Sequence, residues 1–281
     1  MTFLLATAAL AMAQQGALPG SNTMPEVPDD LRNRPPRIRQ EAAREPSELA
    51  QCLKLASSDP AAALDNAQRW RERALTDLQF AQSAHCAGLA LVQLGRMSDA
   101  REAFELASGE APQDNLAYSA RLAAMAGNAA LADGDPAGAV PLLDRAGALA
   151  LLAEDGPLAA DLRVDLARVL VQLGRSEDAV SALAEARDAD GIDVEAWLLS
   201  ATLSRRLDRL GEAQAQIERA AMLDPRNPQI ALEAGVIAAM SGREADARTQ
   251  FETVLLLDPE SRAGERAQAY LDQLDTPPQD E

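Results

Sequence analysis

Few residue types in this chain are able to do chemistry. His85 is the only histidine among 281 residues, and Cys52 and Cys86 are the only cysteines. A single imidazole excludes a histidine metal cluster and leaves little for acid–base work. Cys86 directly follows His85, as a thiol nucleophile beside a base would. Adjacent residues on a helix, however, point about 100° apart and rarely share a hydrogen bond. No phosphate loop, Cys-x-x-Cys motif or Gly-x-Ser-x-Gly elbow occurs. These residues imply no catalytic centre, no metal and no cofactor.

The elements that must position any binding residues are written as a repeat. Leu223-Asp224-Pro225 recurs as Leu257-Asp258-Pro259, 34 residues on, and Ala213, Ile217 and Ala220 recur as Ala247, Phe251 and Val254 at the same displacement. A fixed period of this length predicts a stack of helical hairpins, each too small to bury its own apolar face. Gly95-Arg96, Gly174-Arg175 and Gly242-Arg243 each precede an alanine, Ala100, Ala179 and Ala247, as turns that need positive φ would. Gly174 to Gly242 is 68 residues, two periods, and Gly95 to Gly174 is 79, an excess of eleven. Two longer connections, near Asn115–Ser119 and Glu154–Ala159, are expected to absorb that excess. Six units follow, at about 44–80, 81–119, 120–159, 160–193, 194–227 and 228–261, with an amphipathic helix from Arg262 to Leu274 covering the open end.

This pattern resembles the tetratricopeptide repeat family over nearly all of residues 44–275. The unit 81–119 supplies Gly88, Ala100, Phe104, Ala107 and Pro112; the unit 194–227 supplies Trp197, Ala213, Ala220 and Pro225; the last supplies Gly235, Ala247, Phe251 and Pro259. The middle units match through Gly127, Ala139 and Ala146, and through Leu166, Ala179 and Ala186, and the first rests on Asp59-Pro60, Ala63 and Trp70. The resemblance implies an all-α, right-handed superhelical solenoid of antiparallel helix pairs with a C-terminal capping helix.

It also implies that the first helix of each pair lines an inner groove that receives a protein or peptide. Carried onto this sequence, the groove positions include His85, Leu89, Arg121, Asn128, Arg168, Leu198, Arg205, Arg206, Leu232 and Val236. An apolar groove with arginines follows, the negative charge lying outside. One reading has Arg121, Arg168, Arg205 or Arg206 gripping a partner carboxylate through two parallel hydrogen bonds. The other leaves these arginines solvated or paired within the chain. Some family members clamp a carboxyl terminus with Lys, Asn and Arg. Only Asn128 stands at a comparable place here, so that use is not carried over.

Cys52 and Cys86 are one period apart. Neighbouring first helices run side by side, so the pair can form a disulfide stapling the first unit to the second; two buried thiols and a catalytic dithiol are the alternatives.

Composition narrows the partner. Apolar residues make up 47% and aromatics 3%, so the interior must be built from alanine and leucine. The formal charge is −18. Five arginines balance five carboxylates in residues 1–46, so the remainder carries the whole excess. Such a body is repelled by nucleic acid and by anionic lipid. Phe3 to Leu10 is a short apolar run followed by Ala11-Met12-Ala13, which reads as a secretory signal peptide over residues 1–13, although no Lys or Arg precedes it. The run is too short for a transmembrane segment. Residues 14–43, with Pro19, Pro25, Pro28, Pro35 and Pro36, read as a disordered tether containing the basic cluster Leu31 to Arg39, and residues 276–281 as a tail. Lys54 is the only lysine, and the Ala- and Arg-rich usage fits a high-GC genome. The resulting expectation is a periplasmic, or alternatively secreted, interaction scaffold of the bacterial cell envelope. The alternatives are a holdase or assembly factor, or an accessory subunit of an export or cytochrome-maturation system.

Overall fold

Most helix starts among the described residues carry a side-chain cap. Ser47, Asp59, Thr76, Asn115, Asp135, Asp155, Asp193, Asn227 and Ser261 each accept a hydrogen bond from a backbone N–H in the first turn of the helix that follows. Each such cap is worth about 1 kcal/mol. The computed structural model describes residues 47–276, and the expected signal peptide, the tether with its basic cluster and residues 277–281 lie outside the described residues.

Thirteen helices and no strand are found among the described residues: α1 (Glu48–Ser58), α2 (Pro60–Arg73), α3 (Asp77–Gln93), α4 (Met97–Glu110), α5 (Leu116–Ala132), α6 (Pro136–Leu152), α7 (Gly156–Gln172), α8 (Ser176–Ala189), α9 (Val194–Arg206), α10 (Leu210–Leu223), α11 (Pro228–Met240), α12 (Glu244–Leu257) and α13 (Arg262–Asp275). Each helix packs on the next, and α1 also touches α3, α7 touches α9, α9 touches α11, and α11 touches α13. The result is an all-α solenoid of six hairpins closed by α13.

Tight turns of one geometry recur along the chain. Gly95, Gly134, Gly174 and Gly242 have φ between 71° and 80°, and Glu154 and Asp208 hold the same left-handed conformation at 56° and 60°. In each turn the following N–H returns to a carbonyl five residues back, as from Arg96 to Leu91 and from Arg209 to Ser204. Glu154 lies between α6 and α7, so the connection between the third and fourth hairpins is built like the turn inside a hairpin.

This corrects the expected placement of the eleven extra residues. Leu116–Ser119 and Gly156–Ala159 are helical, and the excess lies in the helices rather than the connections. Asn115 and Asp155 cap their helices one turn early, and α5, α6 and α7 each run to 17 residues. By contrast α9 and α11 have 13 residues and begin 34 apart.

Ala63, Ala100, Ala139, Ala179, Ala213 and Ala247 are each fully buried where the two helices of a hairpin cross. A glycine faces the aromatic ring at two crossings: a Cβ at Gly88 would enter the Phe104 ring, and one at Gly235 the Phe251 ring. Replacing Ala247 by leucine is expected to overpack its crossing by about 1–3 kcal/mol. The same change at exposed Ala245, two residues away, should stay within about 0.5 kcal/mol. Urea denaturation of the two variants checks the difference.

Candidate functional site

The groove positions separate into those the packing consumes and those it leaves open. His85 is 8% exposed and Leu232 is 2% exposed. Both are corrections to the expected groove, because each helix must commit part of that face to its neighbour. Leu232 joins the core formed by α11, α12 and α13. His85 lies between the rings of Phe104 and Tyr118, its Nδ1 3.1 Å from the Tyr118 hydroxyl. Burial lowers the His85 pKa, so the imidazole is neutral at pH 7, and burial pushes Tyr118 up to about 12. Cys86 is joined to Cys52 by a disulfide between α3 and α1, with Cα atoms 6.0 Å apart. No thiol therefore stands beside the imidazole.

Leu89, Leu198 and Val236 are half-buried, while Arg121, Asn128, Arg168 and Arg206 are exposed. Three arginines are already engaged. Arg121 lies 3.3 Å from Asp155. Arg168 pairs with Asp165 at 2.8 Å and with Glu195 on the next first helix. Arg205 donates from Nε to Glu233 at 2.6 Å. Among the described residues no carboxylate lies within ion-pair distance of Arg206. The expected separation of charge is thus corrected: Asp155, Asp165, Glu195 and Glu233 reach the arginines and neutralise most of the positive charge there.

A hollow of about 190 Å³ opens between α7 and α9. Ala167 and Val171 of α7, Leu183 of α8 and Leu199 and Leu203 of α9 form its walls, and Arg168, Thr202 and Arg206 stand around it. Two larger hollows, of about 310 and 360 Å³, lie between second helices, one between α10 and α12 and one between α6 and α8. Polar groups hold both: Arg243 donates to Gln214 in the first, and the buried Arg163 pairs with Asp144 and Glu185 in the second. Of these three hollows, the one between α7 and α9 combines apolar walls with an uncommitted cation, which suits one aliphatic side chain and a nearby carboxylate or carbonyl.

Family positions located Arg168 and Arg206 but not Ala167, Leu199 and Leu203. Helical periodicity was the available signal for α9, since Glu195, Leu199, Leu203 and Arg206 fall at steps of four, four and three.

Comparison with known proteins agrees with this architecture. Residues 130–203 match one tetratricopeptide repeat model and residues 198–265 match a second. The chain is a tetratricopeptide repeat protein. Its fold is similar to that of YrrB, described as a tetratricopeptide repeat protein with an unusual peptide-binding site, at 20% identity, with 66% of this chain and 91% of that one covered and a TM-score of 0.51. It is also similar to MamA from Desulfovibrio magneticus RS-1, at 16% identity over 65% of this chain and 97% of that one, TM-score 0.52. Another MamA structure aligns at 13% identity over 72% and 99%, TM-score 0.52. No curated protein matches the sequence. Likeness at these identities concerns the fold alone. Among the described residues no helix is long and apolar enough to cross a membrane.

Proposed function

We propose that this chain is a non-catalytic scaffold of the bacterial cell envelope that holds a segment of a partner protein on its inner face. The hollow between α7 and α9 takes an aliphatic side chain of that segment, and Arg206 meets an oxygen beside it. One observation carries the reading: Arg206 is left without a carboxylate beside an apolar hollow while Arg121, Arg168 and Arg205 are all paired. The peptide-binding site named for YrrB, whose fold is shared, supports the choice of a peptide. The A-x-A pattern at residues 11–13 and the Cys52–Cys86 disulfide support an oxidising compartment outside the cytosol.

The test is capture of partners from envelope extract by the wild-type chain and by a Leu199→Asp, Arg206→Glu double variant. A specific partner should be enriched by the first and reduced about tenfold or more in the second, the loss of an anchor pair worth about 1.4 kcal/mol or more. Equal capture by the two, with both folded by circular dichroism, removes this face from the function. Broad suppression of aggregation of unrelated unfolded chains, insensitive to the double variant, would mark a holdase instead.

A further inference from the structure

The chemistry of the segment can be read further from the charges around the same hollow; this step rests on the inner-face reading above. On α7, Asp161, Asp165 and Arg168 follow one another at i, i+4 and i+7, and on α9 Glu195, Leu199, Leu203 and Arg206 do so at i, i+4, i+8 and i+11. Each series therefore lies along one helical face. The face of α9 thus passes from an acid through two aliphatic residues to a base. The rise of about 1.5 Å per residue puts about 16 Å between Glu195 and Arg206 along the axis.

Carboxylates dominate the end that holds Glu195. Partial burial of its carboxyl raises the pKa of Asp161, and the nearby charges of Asp193, Asp165, Glu195 and Asp190 raise it further. Five carboxylates lie at that end; the Arg168 guanidinium bonds two of them, and Arg219 reaches the Gly191 carbonyl between Asp190 and Asp193. Asp193 is occupied as the cap of α9, and Asp190 accepts from the Ile192 N–H. Among the described residues Asp161 takes no hydrogen bond and no ion pair, and it is exposed.

We infer that the occupant is an extended segment of about five residues that carries a lysine or arginine at the Asp161 and Glu195 end, an aliphatic side chain in the hollow, and a carboxylate at Arg206. Extended chain advances about 3.3 Å per residue, so the first and fifth residues stand about 13 Å apart and their long side chains reach the two charged ends. Base, aliphatic and acid in that order complement the surface at each point. A purely acidic segment, which arginines alone would suggest, meets repulsion from Asp161, Asp190 and Asp193, which Arg168 leaves unpaired. A purely basic one leaves Arg206 unpaired.

The experiment is a double-mutant cycle read by NMR titration with acetyl-Lys-Ser-Leu-Ser-Glu-amide and a second peptide in which norleucine replaces the lysine. Wild type should bind the lysine peptide about fivefold more tightly, the value of one partly exposed ion pair of about 1 kcal/mol. Asp161→Asn combined with Glu195→Gln should abolish that preference, while Arg206→Gln should weaken both peptides alike and leave the ratio intact. Equal affinity for the two peptides on wild type, with binding lost in Leu199→Asp, overturns the charge assignment and leaves the inner-face site standing. Absence of binding by either peptide overturns the assignment too, and the partner-capture comparison then decides the face independently. Tighter binding of a Glu-Ser-Leu-Ser-Glu peptide overturns it as well.

Discussion

Replacing Phe251 by alanine is expected to remove about 3–5 kcal/mol and to uncouple the carboxyl end of the array from the rest. Phe251 is 1% exposed. Its ring fills the space that a side chain at Gly235 would take, and its other side stacks on Tyr270 of α13 with centroids 5.0 Å apart. One side chain therefore joins the first helix of the last hairpin, the second helix and the cap. The surrounding core is Ala231, Leu232, Ala238, Ala247, Val254, Ala263, Ala267 and Leu271, and small residues cannot close over a lost ring. In a linear array each unit is supported only by its neighbours, so the damage should stay local. A urea titration should then show an early transition carrying the signals of α11–α13 before the main one, whereas Phe251→Leu, which keeps most of the volume, should shift the same transition by less. A single transition displaced by under about 1 kcal/mol would show that the ring does not carry this junction.

The same packing explains how much of the molecule its sequence discloses. Between Val194 and Ser261 both first helices have 13 residues and both second helices 14, so Leu223-Asp224-Pro225 and Leu257-Asp258-Pro259 sit at equal places in successive hairpins. In the middle of the chain α5, α6 and α7 are a turn longer than α9 and α11. A turn added to a helix and a longer loop cost the same number of residues, so spacing alone does not separate them. The capping side chains Asn115 and Asp155 do separate them, because each marks where helical N–H groups need an acceptor. Asp208 and Glu154 in the left-handed turns escape a search for glycine. Among the binding residues, the partners of the arginines were not legible from the period. Arg121–Asp155 spans 34 residues, but α5 and α7 begin 40 apart (116 to 156), so the two residues do not stand one repeat apart. Arg168–Glu195 and Arg205–Glu233 span 27 and 28 residues, a relation fixed by how α7, α9 and α11 sit beside one another. His85 was misplaced for a related reason: Tyr118, 33 residues on, covers it, and no local pattern announces that contact.

Removing the Cys52–Cys86 disulfide, by reduction or by replacing both cysteines with alanine, is expected to cost the first hairpin about 3–4 kcal/mol, the chain-entropy value for a loop of this length. The hairpin has little else to hold it. The buried residues of α1 and α2 are Cys52, Ala56, Ala63, Ala67 and Trp70, so Trp70 is the one large side chain of the group. Among the described residues the first hairpin has a neighbouring hairpin on one side only, and the disulfide adds to that contact by tying α1 directly to α3. Trp70 is 2% exposed and packs beside both cysteines, which makes its emission a local reporter once the second tryptophan, Trp197, is replaced by phenylalanine. In reductant its emission should move to longer wavelength at a urea concentration well below that at which α5–α13 unfold. One transition, unmoved by reductant, would mean that the cysteines contribute only as small apolar groups. Chain position also gives this experiment a cellular reading. Both cysteines are at most 1% exposed, so alkylation of the folded protein cannot tell a disulfide from buried thiols. Acid-trapped protein taken directly from cells, then denatured and alkylated, should carry no label at either cysteine if the chain folds in an oxidising compartment, and two labels if it stays in the cytosol.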